Sequence, residues 1–207
     1  MTSDGAGVVP AGNVVGAGVV AGANVTPFEL SPHNCFACGS LNVSGIGLRL
    51  HVERGKAWAD TTLDVRFQGW NGMAHGGIIC ALLDEVMAWS LVGEDNWGVT
   101  ARMSVEFKRP IPIGQPVHAE GLVTRSRRRL VETAGTIADA GGTVLATAVG
   151  LYVAADEARK RELREQYGFR LLNDATAAAT EAATPESVDR LEPGRHPASL
   201  VTSGTRR

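Results

Sequence analysis

Apolar and polar residues alternate along several stretches of this chain, and a period of two predicts β-strands. The clearest stretch is Val99–Lys108, in which apolar residues occupy every second position over ten residues. This pattern is typical of an antiparallel strand with one face on a core. Weaker versions of it predict five more strands: Gly47–Glu53, Lys56–Leu63, Val117–Arg125, Leu130–Ala140 and Thr143–Ala154.

The stretch His75–Val92 follows a helical period instead. Its large apolar residues recur at spacings of three and four: Ile78, Ile79, Leu82, Leu83, Val86 and Trp89. Because apolar residues occupy almost every side of this helix, we expect a curved sheet to wrap around it. The element order β-β-α-β-β-β-β therefore predicts an α+β fold, with an antiparallel β-sheet wrapped around one long central α-helix.

The two ends of the chain differ in composition from this middle part. Residues 1–26 consist almost entirely of Gly, Ala, Val and Asn, which predicts a flexible leader. Residues 155–170 are rich in charge and predict a short solvated helix, and residues 171–207 predict a disordered tail. The predicted folded domain is therefore residues 27–154.

Overall charge and cysteine content narrow the class of protein. The 207-residue chain has a formal net charge of −2, which does not favour nucleic acid or an acidic membrane as a partner. No apolar run is long enough to span a bilayer, and the first residues do not resemble a signal peptide. Three cysteines are too few for a disulfide scaffold. We expect a reduced, cytoplasmic protein that binds neither nucleic acid nor membranes.

The start of the long helix carries the first candidate chemistry. Gly76 and Gly77 have no Cβ atoms, so a ligand oxygen can approach the backbone N–H groups of the first turn. These N–H groups have no intrahelical acceptor and carry the positive end of the helix dipole. They can hold a developing oxyanion in acyl transfer. The ordinary alternative is that the glycines only allow the chain to bend tightly into the helix.

Two adjacent acidic residues, Asp84 and Glu85, lie in the middle of the same helix. Burying charge is costly, so we expect one carboxylate to reach solvent and the other to face a pocket. Asp84 shares a helix side with the small residues Gly77 and Ala88, which favours Asp84 as the inward carboxylate. A solvated Asp84 at a helix bend is the alternative.

The spacing between these two candidate groups has a consequence for assembly. Asp84 lies seven residues after Gly77, and so about 10 Å further along one helix. A general base and an oxyanion donor must each lie within about 3 Å of the reacting atoms. If both act on one carbonyl, two helices must meet antiparallel across a twofold axis, and the protein must be a dimer.

The chain contains a single C-x-x-C motif, Cys35-Phe-Ala-Cys38, preceded by His33. A structural zinc ion requires four ligands, and the sequence offers three candidates here. We therefore predict a structural or packing role for the two cysteines, with no metal and no cofactor. Cys80 is expected to be a small apolar residue of the helix.

A group of arginines lies at a predicted hairpin: Arg125, Arg127, Arg128 and Arg129. Arginine binds phosphate groups through paired hydrogen bonds, so this hairpin is a candidate phosphate site. The alternative is a solvated charged turn. Arg102 and Lys108, on the polar face of the strand Val99–Lys108, are alternative cations.

The motif His75-Gly76-Gly77, with Asp84 nine positions after His75, resembles the hotdog-fold acyl-CoA thioesterases and more closely their PaaI-like branch. The segments Cys35–Leu50 and Thr100–Gly114 are similar to that family as well. The resemblance extends over about Asn34–Val153, nearly all of the predicted domain. It implies a hotdog fold and hydrolysis of acyl-CoA to a free acid and CoA, a reaction of lipid metabolism.

The resemblance also implies roles for individual residues and an assembly. Asp84 would be the general base or nucleophile, and the Gly76 N–H would polarise the thioester carbonyl. His75 would position the substrate side of the helix start, and Thr100 would orient the attacking water. The candidate substrate-binding residues are Gly77, Asn71, Gln68, Arg125, Arg127 and Arg128. The expected assembly is a homodimer or a dimer of dimers, with acyl-CoA as the substrate.

Two other functions fit parts of the same pattern. An enoyl-CoA hydratase or dehydratase of the same fold would use His75 and Asp84 to move protons on the acyl chain. A non-catalytic acyl-CoA-binding module would bind the same ligand without turnover.

Overall fold

The computed structural model describes residues 28–171. The predicted leader lies outside these residues, as does the predicted tail beyond residue 171. Strands and helices follow in this order: β1 Phe28–Glu29, β2 His51–Glu53, β3 Lys56–Thr62, α1 Gly76–Val92, β4 Gly98–Phe107, β5 Pro116–Arg127, β6 Leu130–Asp139, β7 Val144–Ala154, α2 Glu157–Tyr167 and β8 Arg170–Leu171. A short 3-10 helix, Val65–Phe67, precedes α1.

A six-stranded antiparallel sheet packs against the long helix α1. Its strand order is β2-β3-β5-β6-β7-β4, and the two-residue strands β1 and β8 pair separately. The α+β fold predicted from the sequence, with a sheet around one central helix, is confirmed. The helix contributes several fully buried side chains to the core, among them Leu82, Leu83, Val86 and Met87. Each such side chain contributes about 1.5–3 kcal/mol of burial free energy.

A glycine on the sheet lets the helix come close. A Cβ atom on Gly121 of β5 would lie 2.4 Å from the backbone oxygen of Val86 in α1. That distance is well inside van der Waals contact, so any side chain at position 121 would push the helix away from the sheet. This contact sets the distance between the sheet and the middle of α1, where Asp84 and Glu85 lie.

The first predicted strand is shorter than its hydrophobic pattern indicated. The pattern covered Gly47–Glu53, whereas the strand comprises His51–Glu53. The preceding residues make other contacts, because the Leu48 N–H donates to the Ala37 carbonyl at 2.8 Å. The alternation of apolar and polar residues thus predicted correctly which side chains of this segment are buried, but it did not predict which backbone groups the segment hydrogen-bonds to.

Strand β4 lies at the edge of the sheet and is less covered than its alternation predicted. Met103 and Val105 are half-buried, but Val99 is 70% exposed and Phe107 is 55% exposed. The expectation of one face on a core is thus wrong for both ends of this strand within a single chain. The helix covers only the middle of β4, which leaves apolar side chains and an unpaired strand edge open to solvent.

The charged stretch after the sheet contains α2. Asp156 caps this helix by accepting a hydrogen bond from the Arg159 N–H at 2.9 Å, and Gly168 ends it in the left-handed conformation. No helix among residues 28–171 is long and apolar enough to cross a membrane.

Candidate active site

The helix α1 begins with a cap made by His75. Its Nδ1 accepts a hydrogen bond from the Gly77 N–H at 2.9 Å, and its own N–H donates to the Phe67 carbonyl. The Gly77 amide is therefore already occupied, and a Cβ on Gly77 would lie 3.1 Å from His75 Nδ1. By the resemblance, His75 would position the substrate side of the helix start, and its side chain caps that helix start.

The Gly76 N–H is different, because it has no hydrogen-bond acceptor anywhere in residues 28–171. A Cβ on Gly76 would meet only the Phe107 ring, at an ordinary contact distance of 3.6 Å. Packing within the chain therefore does not require a glycine here. A free amide at the positive end of a helix, next to open space, is suited to binding a negatively charged oxygen.

Asp84 is held by two hydroxyl groups from the sheet. Thr100 Oγ1 donates to Asp84 Oδ1 at 2.7 Å, and the Tyr152 hydroxyl lies 2.8 Å from the same oxygen. Thr100 and Tyr152 face each other across the β4–β7 ladder, so the register of these strands brings both hydroxyls to one side of α1. Thr100, predicted to act near the attacking water, thus contacts the carboxylate directly.

The other carboxylate oxygen, Asp84 Oδ2, has no hydrogen-bond partner among the described residues. Burial and the neighbouring Asp84 charge raise the pKa of the Tyr152 phenol well above its usual range. Tyr152 therefore remains a hydrogen-bond donor at any physiological pH. Asp84 is consequently fixed in orientation through Oδ1, with Oδ2 available to a water molecule or a substrate.

Tyr152 was not among the residues predicted from the sequence, although a signal for it exists. It lies on the face of β7 that carries the buried residues Ala146, Ala148 and Ala154. Tyr152 brings a hydroxyl group to this otherwise small and apolar face. A buried hydroxyl requires a partner, and Asp84 supplies it.

The loop before α1 contains the two amide side chains predicted to bind substrate. Gln68 Oε1 accepts a hydrogen bond from the Gly72 N–H at 2.7 Å, and Gly72 has a positive φ of 77°. This contact stabilises the turn, so the carbonyl oxygen of Gln68 is engaged within the loop. Asn71 lies exposed at the loop tip.

The arginine hairpin lies at the end of the sheet near Asp84. Arg127 pairs with Leu130, one residue beyond the row of the ladder that contains Tyr152. Arg127 and Arg128 are exposed and form no ion pair within residues 28–171, and Arg128 forms the turn with a φ of 54°. Arg125 lies 3.8 Å from Glu132, within β5, which continues two residues beyond the predicted end of this strand.

Glu85 has surroundings that the sequence did not indicate. We expected one of the two acidic side chains to reach solvent, but both are half-buried, on different sides of α1. Burial raises the pKa of Glu85, and its Oε1 accepts a hydrogen bond from Trp89 Nε1 at 2.9 Å. Its Oε2 lies 4.0 Å from the Cys35 sulfur, so the helix meets the C-x-x-C motif here.

Within one chain, Gly76 and Asp84 do not form a single site. They are eight residues apart on the same helix, and so about 12 Å apart along its axis. The structure thus brings together Asp84, Thr100 and Tyr152 and leaves the free Gly76 amide at a distance from them.

Comparison with known proteins agrees with this fold. Residues 71–146 match the family model described as thioesterase superfamily, and no curated protein matches the chain. A crystal structure of a thioesterase superfamily protein is 26% identical, with a TM-score of 0.55, over 67% of this chain and 70% of that one. The matched segment contains the helix start, Asp84 and the arginine hairpin.

Two further solved structures share the fold at lower identity. The E. coli PaaI protein from the phenylacetic acid degradation operon is 18% identical over 52% of this chain and 83% of its own, with a TM-score of 0.50. A Streptococcus mutans protein bound to acetyl-CoA is 18% identical over 56% of this chain and 97% of its own, with a TM-score of 0.51. Residues 71–146 therefore match the thioesterase superfamily, on a hotdog fold that this domain shares with PaaI.

Proposed function

We propose that this protein hydrolyses acyl-CoA thioesters to a free acid and CoA. The observation that carries the proposal is the Asp84 carboxylate, held at Oδ1 by Thr100 and Tyr152 and free at Oδ2. A carboxylate fixed in this way is arranged to act on a water molecule or an electrophilic carbon. The superfamily match over residues 71–146 and the acetyl-CoA bound to the S. mutans protein of this fold support the substrate class.

In the proposed reaction, Asp84 Oδ2 takes a proton from water as the water oxygen attacks the thioester carbon. The carbonyl oxygen becomes an oxyanion, which the Gly76 N–H of a second copy of the chain stabilises. Collapse of this intermediate breaks the C–S bond, and the departing CoA sulfur takes the proton from Asp84. If Asp84 instead attacks directly, an acyl anhydride forms and water then hydrolyses it. Both routes require the same free oxygen.

The distance between Gly76 and Asp84 along one helix supports a site shared by two chains. Strand β4 has an unpaired edge and exposed apolar residues, including Val99 and Phe107. The Phe107 ring lies 3.6 Å from the Cβ position of Gly76, so this edge is next to the helix start. We propose that two chains pair through this face as a homodimer. In this dimer, the start of α1 in each chain lies next to Asp84 of the other chain.

The exposed arginines Arg127 and Arg128 are the proposed contacts to the phosphate groups of CoA. They lie at the sheet end that holds Tyr152, and no acidic side chain within residues 28–171 neutralises them. Gly77 is the second residue of α1 and Asn71 lies exposed in the loop before it, and we propose that both lie near the bound thioester.

The cap formed by His75 argues against the hydratase alternative. In that reaction His75 would move a proton on the acyl chain, but its Nδ1 accepts the Gly77 N–H at 2.9 Å. A non-catalytic binding module would leave acyl-CoA intact, and turnover separates it from the proposed enzyme.

The test is release of free thiol from a panel of acyl-CoA esters by the purified full-length chain. We expect turnover, and an Asp84→Asn variant should lose about 100-fold to 10,000-fold of kcat, the usual contribution of a general base. Asp60→Asn removes an exposed carboxylate on β3 and should retain wild-type turnover. Binding without turnover, or an Asp84→Asn variant with full activity, would contradict the proposal.

A further inference from the structure

A cluster of metal-binding side chains lies on a different side of α1 from the Asp84 carboxylate. The ligand atoms of Cys35, Cys38 and Glu85 all lie within 4.8 Å of one another. His33 Nε2 lies 3.4 Å from the Cys38 sulfur, which adds a fourth donor. The proposed hydrolysis uses none of these groups. We call these four residues the thiol cluster.

We propose that the thiol cluster binds one divalent metal ion of the zinc class in a tetrahedral site. Ligand atoms at about 2.0–2.3 Å from a tetrahedral zinc ion lie about 3.3–3.8 Å from one another. The distances of 3.4 Å between His33 Nε2 and the Cys38 sulfur and 4.0 Å between the Cys35 sulfur and Glu85 Oε2 are close to this range. His33 lies outside the group of three whose ligand atoms are all within 4.8 Å of one another, so its ring would have to move towards the other ligands. Two thiolates select zinc-like metals over magnesium or calcium.

The backbone of the C-x-x-C motif is built to hold both sulfur atoms on one side. The Gly39 N–H donates to the Cys35 carbonyl at 3.0 Å and closes a tight turn. A Cβ on Gly39 would lie 2.4 Å from the Cys35 nitrogen, so only glycine fits at this position. Two further hydrogen bonds, from Ile46 to Phe36 and from Leu48 to Ala37, fasten the turn to the following segment.

Two of the proposed ligands are oriented by outer hydrogen bonds, as metal ligands usually are. His33 Nδ1 lies 2.9 Å from the Ser31 carbonyl, which leaves Nε2 directed towards Cys38. Trp89 Nε1 donates to Glu85 Oε1, which leaves Oε2 directed towards Cys35. In both side chains, the ligand atom that is not used by the outer hydrogen bond, His33 Nε2 or Glu85 Oε2, faces the cluster.

The negative charge of the Glu85 carboxylate also favours a bound cation. Glu85 is half-buried and forms no ion pair with a Lys, Arg or His within residues 28–171. Its hydrogen bonds come from the uncharged groups of Trp89 and Cys35, whereas a buried charge is usually paired with a charge of opposite sign. Arg129 and Arg159 line the same cavity but do not pair with Glu85. A divalent ion would supply the opposite charge, with the two thiol protons released to solvent. A cavity of about 430 Å³, lined by all four residues of the cluster, gives an ion access.

A metal ion bound here would link the loop that contains residues 33–38 to the helix α1. Three ligands come from residues 33–38, whereas Glu85 comes from the middle of α1, directly after Asp84 in the chain. Bound metal would therefore hold the segment of α1 that carries the proposed catalytic carboxylate. This proposal does not depend on the reaction, because its test measures metal rather than turnover.

The test is the metal content of the full-length chain, purified without a histidine tag and without chelators, by mass spectrometry. We expect about one zinc ion per chain. After removal of that metal, added cobalt should give the visible absorption of a tetrahedral site together with sulfur-to-cobalt charge transfer. A chain that contains no metal and gives no cobalt spectrum, or a Cys35–Cys38 disulfide in the freshly isolated protein, would overturn the proposal.

Variants identify the ligands. Cys35→Ser and Cys38→Ser should each weaken the charge-transfer band, and the double variant should abolish it. Glu85→Gln should weaken cobalt binding by more than about 10-fold. Cys80→Ser, which removes the third thiol outside the cluster, is the matched control and should bind like wild type. Circular dichroism shows whether each variant is folded. Equal binding by folded Glu85→Gln and wild type would overturn the assignment of Glu85.

Discussion

The hydroxyl of Tyr152 lies 2.8 Å from Oδ1 of Asp84 and 3.1 Å from the backbone oxygen of the same residue. A fully buried side chain on the sheet thus fixes both the carboxylate and the helix backbone that carries it. This contact makes Tyr152 a positioning residue for the proposed reaction. It also ties the chemistry of Asp84 to the packing of α1 on β7.

Removal of this hydroxyl by Tyr152→Phe should lower kcat about 10-fold or more. A hydrogen bond to a charged group contributes about 1.5–3 kcal/mol, and about 1.36 kcal/mol corresponds to a factor of ten. KM should change little, because Tyr152 does not contact the substrate in this mechanism. Steady-state kinetics with one acyl-CoA ester, together with the thermal unfolding midpoint, test this prediction.

A purely structural role for Tyr152 would lower the unfolding midpoint and leave kcat unchanged, which contradicts the prediction. Thr100→Val and Thr100→Ser form a matched pair for the second hydroxyl. The valine variant should lose activity and the serine variant should keep most of it, because only serine retains the donor at 2.7 Å from Asp84.

A proline at position 76 removes the one amide that the mechanism needs. Gly76 is the first residue of α1, where proline is well tolerated, and His75 before it has φ −68° and ψ 135°, which suits a residue preceding proline. Gly76→Pro should therefore fold normally and lose about 100-fold to 1,000-fold of kcat. Thiol release and the unfolding midpoint are measured side by side.

Gly76→Ala is the control for that variant. It places a Cβ at an ordinary distance of 3.6 Å from the Phe107 ring but keeps the N–H group. We expect it to be much more active than Gly76→Pro. Equal activity of the two variants would mean that the Gly76 amide does not hold the oxyanion.

Replacing both Arg127 and Arg128 with glutamine should raise KM for acyl-CoA by about 10-fold or more and leave kcat nearly unchanged. The reason is that charge-assisted hydrogen bonds to the phosphate groups hold the ligand at a distance from the reacting carbon. A short thioester without phosphate groups should be hydrolysed equally by the double variant and wild type. Arg161→Gln, an exposed arginine on α2, is the control. A wild-type KM for acyl-CoA in the double variant would contradict this assignment and would mean that other cations, such as Arg102, bind the phosphate groups.

The fold could be predicted from the sequence because strand and helix periods are local properties. Val99–Lys108 and His75–Val92 were correctly placed to within a residue or two. The exposure of Val99 was missed because alternation reports which face is apolar and not what covers that face. Only the strand order shows that β4 is an edge.

The candidate sites show the same limit more sharply. Asp84 was predicted as the inward carboxylate because its helix neighbours are small, a feature visible in the sequence. Tyr152 and Glu85 were missed because their partners lie 68 and 50 residues away, respectively. Three ligands of the thiol cluster are close together in sequence, and the fourth is brought to them by the packing of α1.

The central claim is that Gly76 and Asp84 act on one substrate from two different chains. Coexpression of Asp84→Asn chains with Gly76→Pro chains tests it most directly, since each variant alone should be nearly inactive. In a mixed dimer, one site pairs an intact Gly76 with an intact Asp84, so a random mixture should regain about a quarter of wild-type kcat. A mixture that stays as inactive as the two separate variants, although mixed dimers are present, would contradict a site shared between chains.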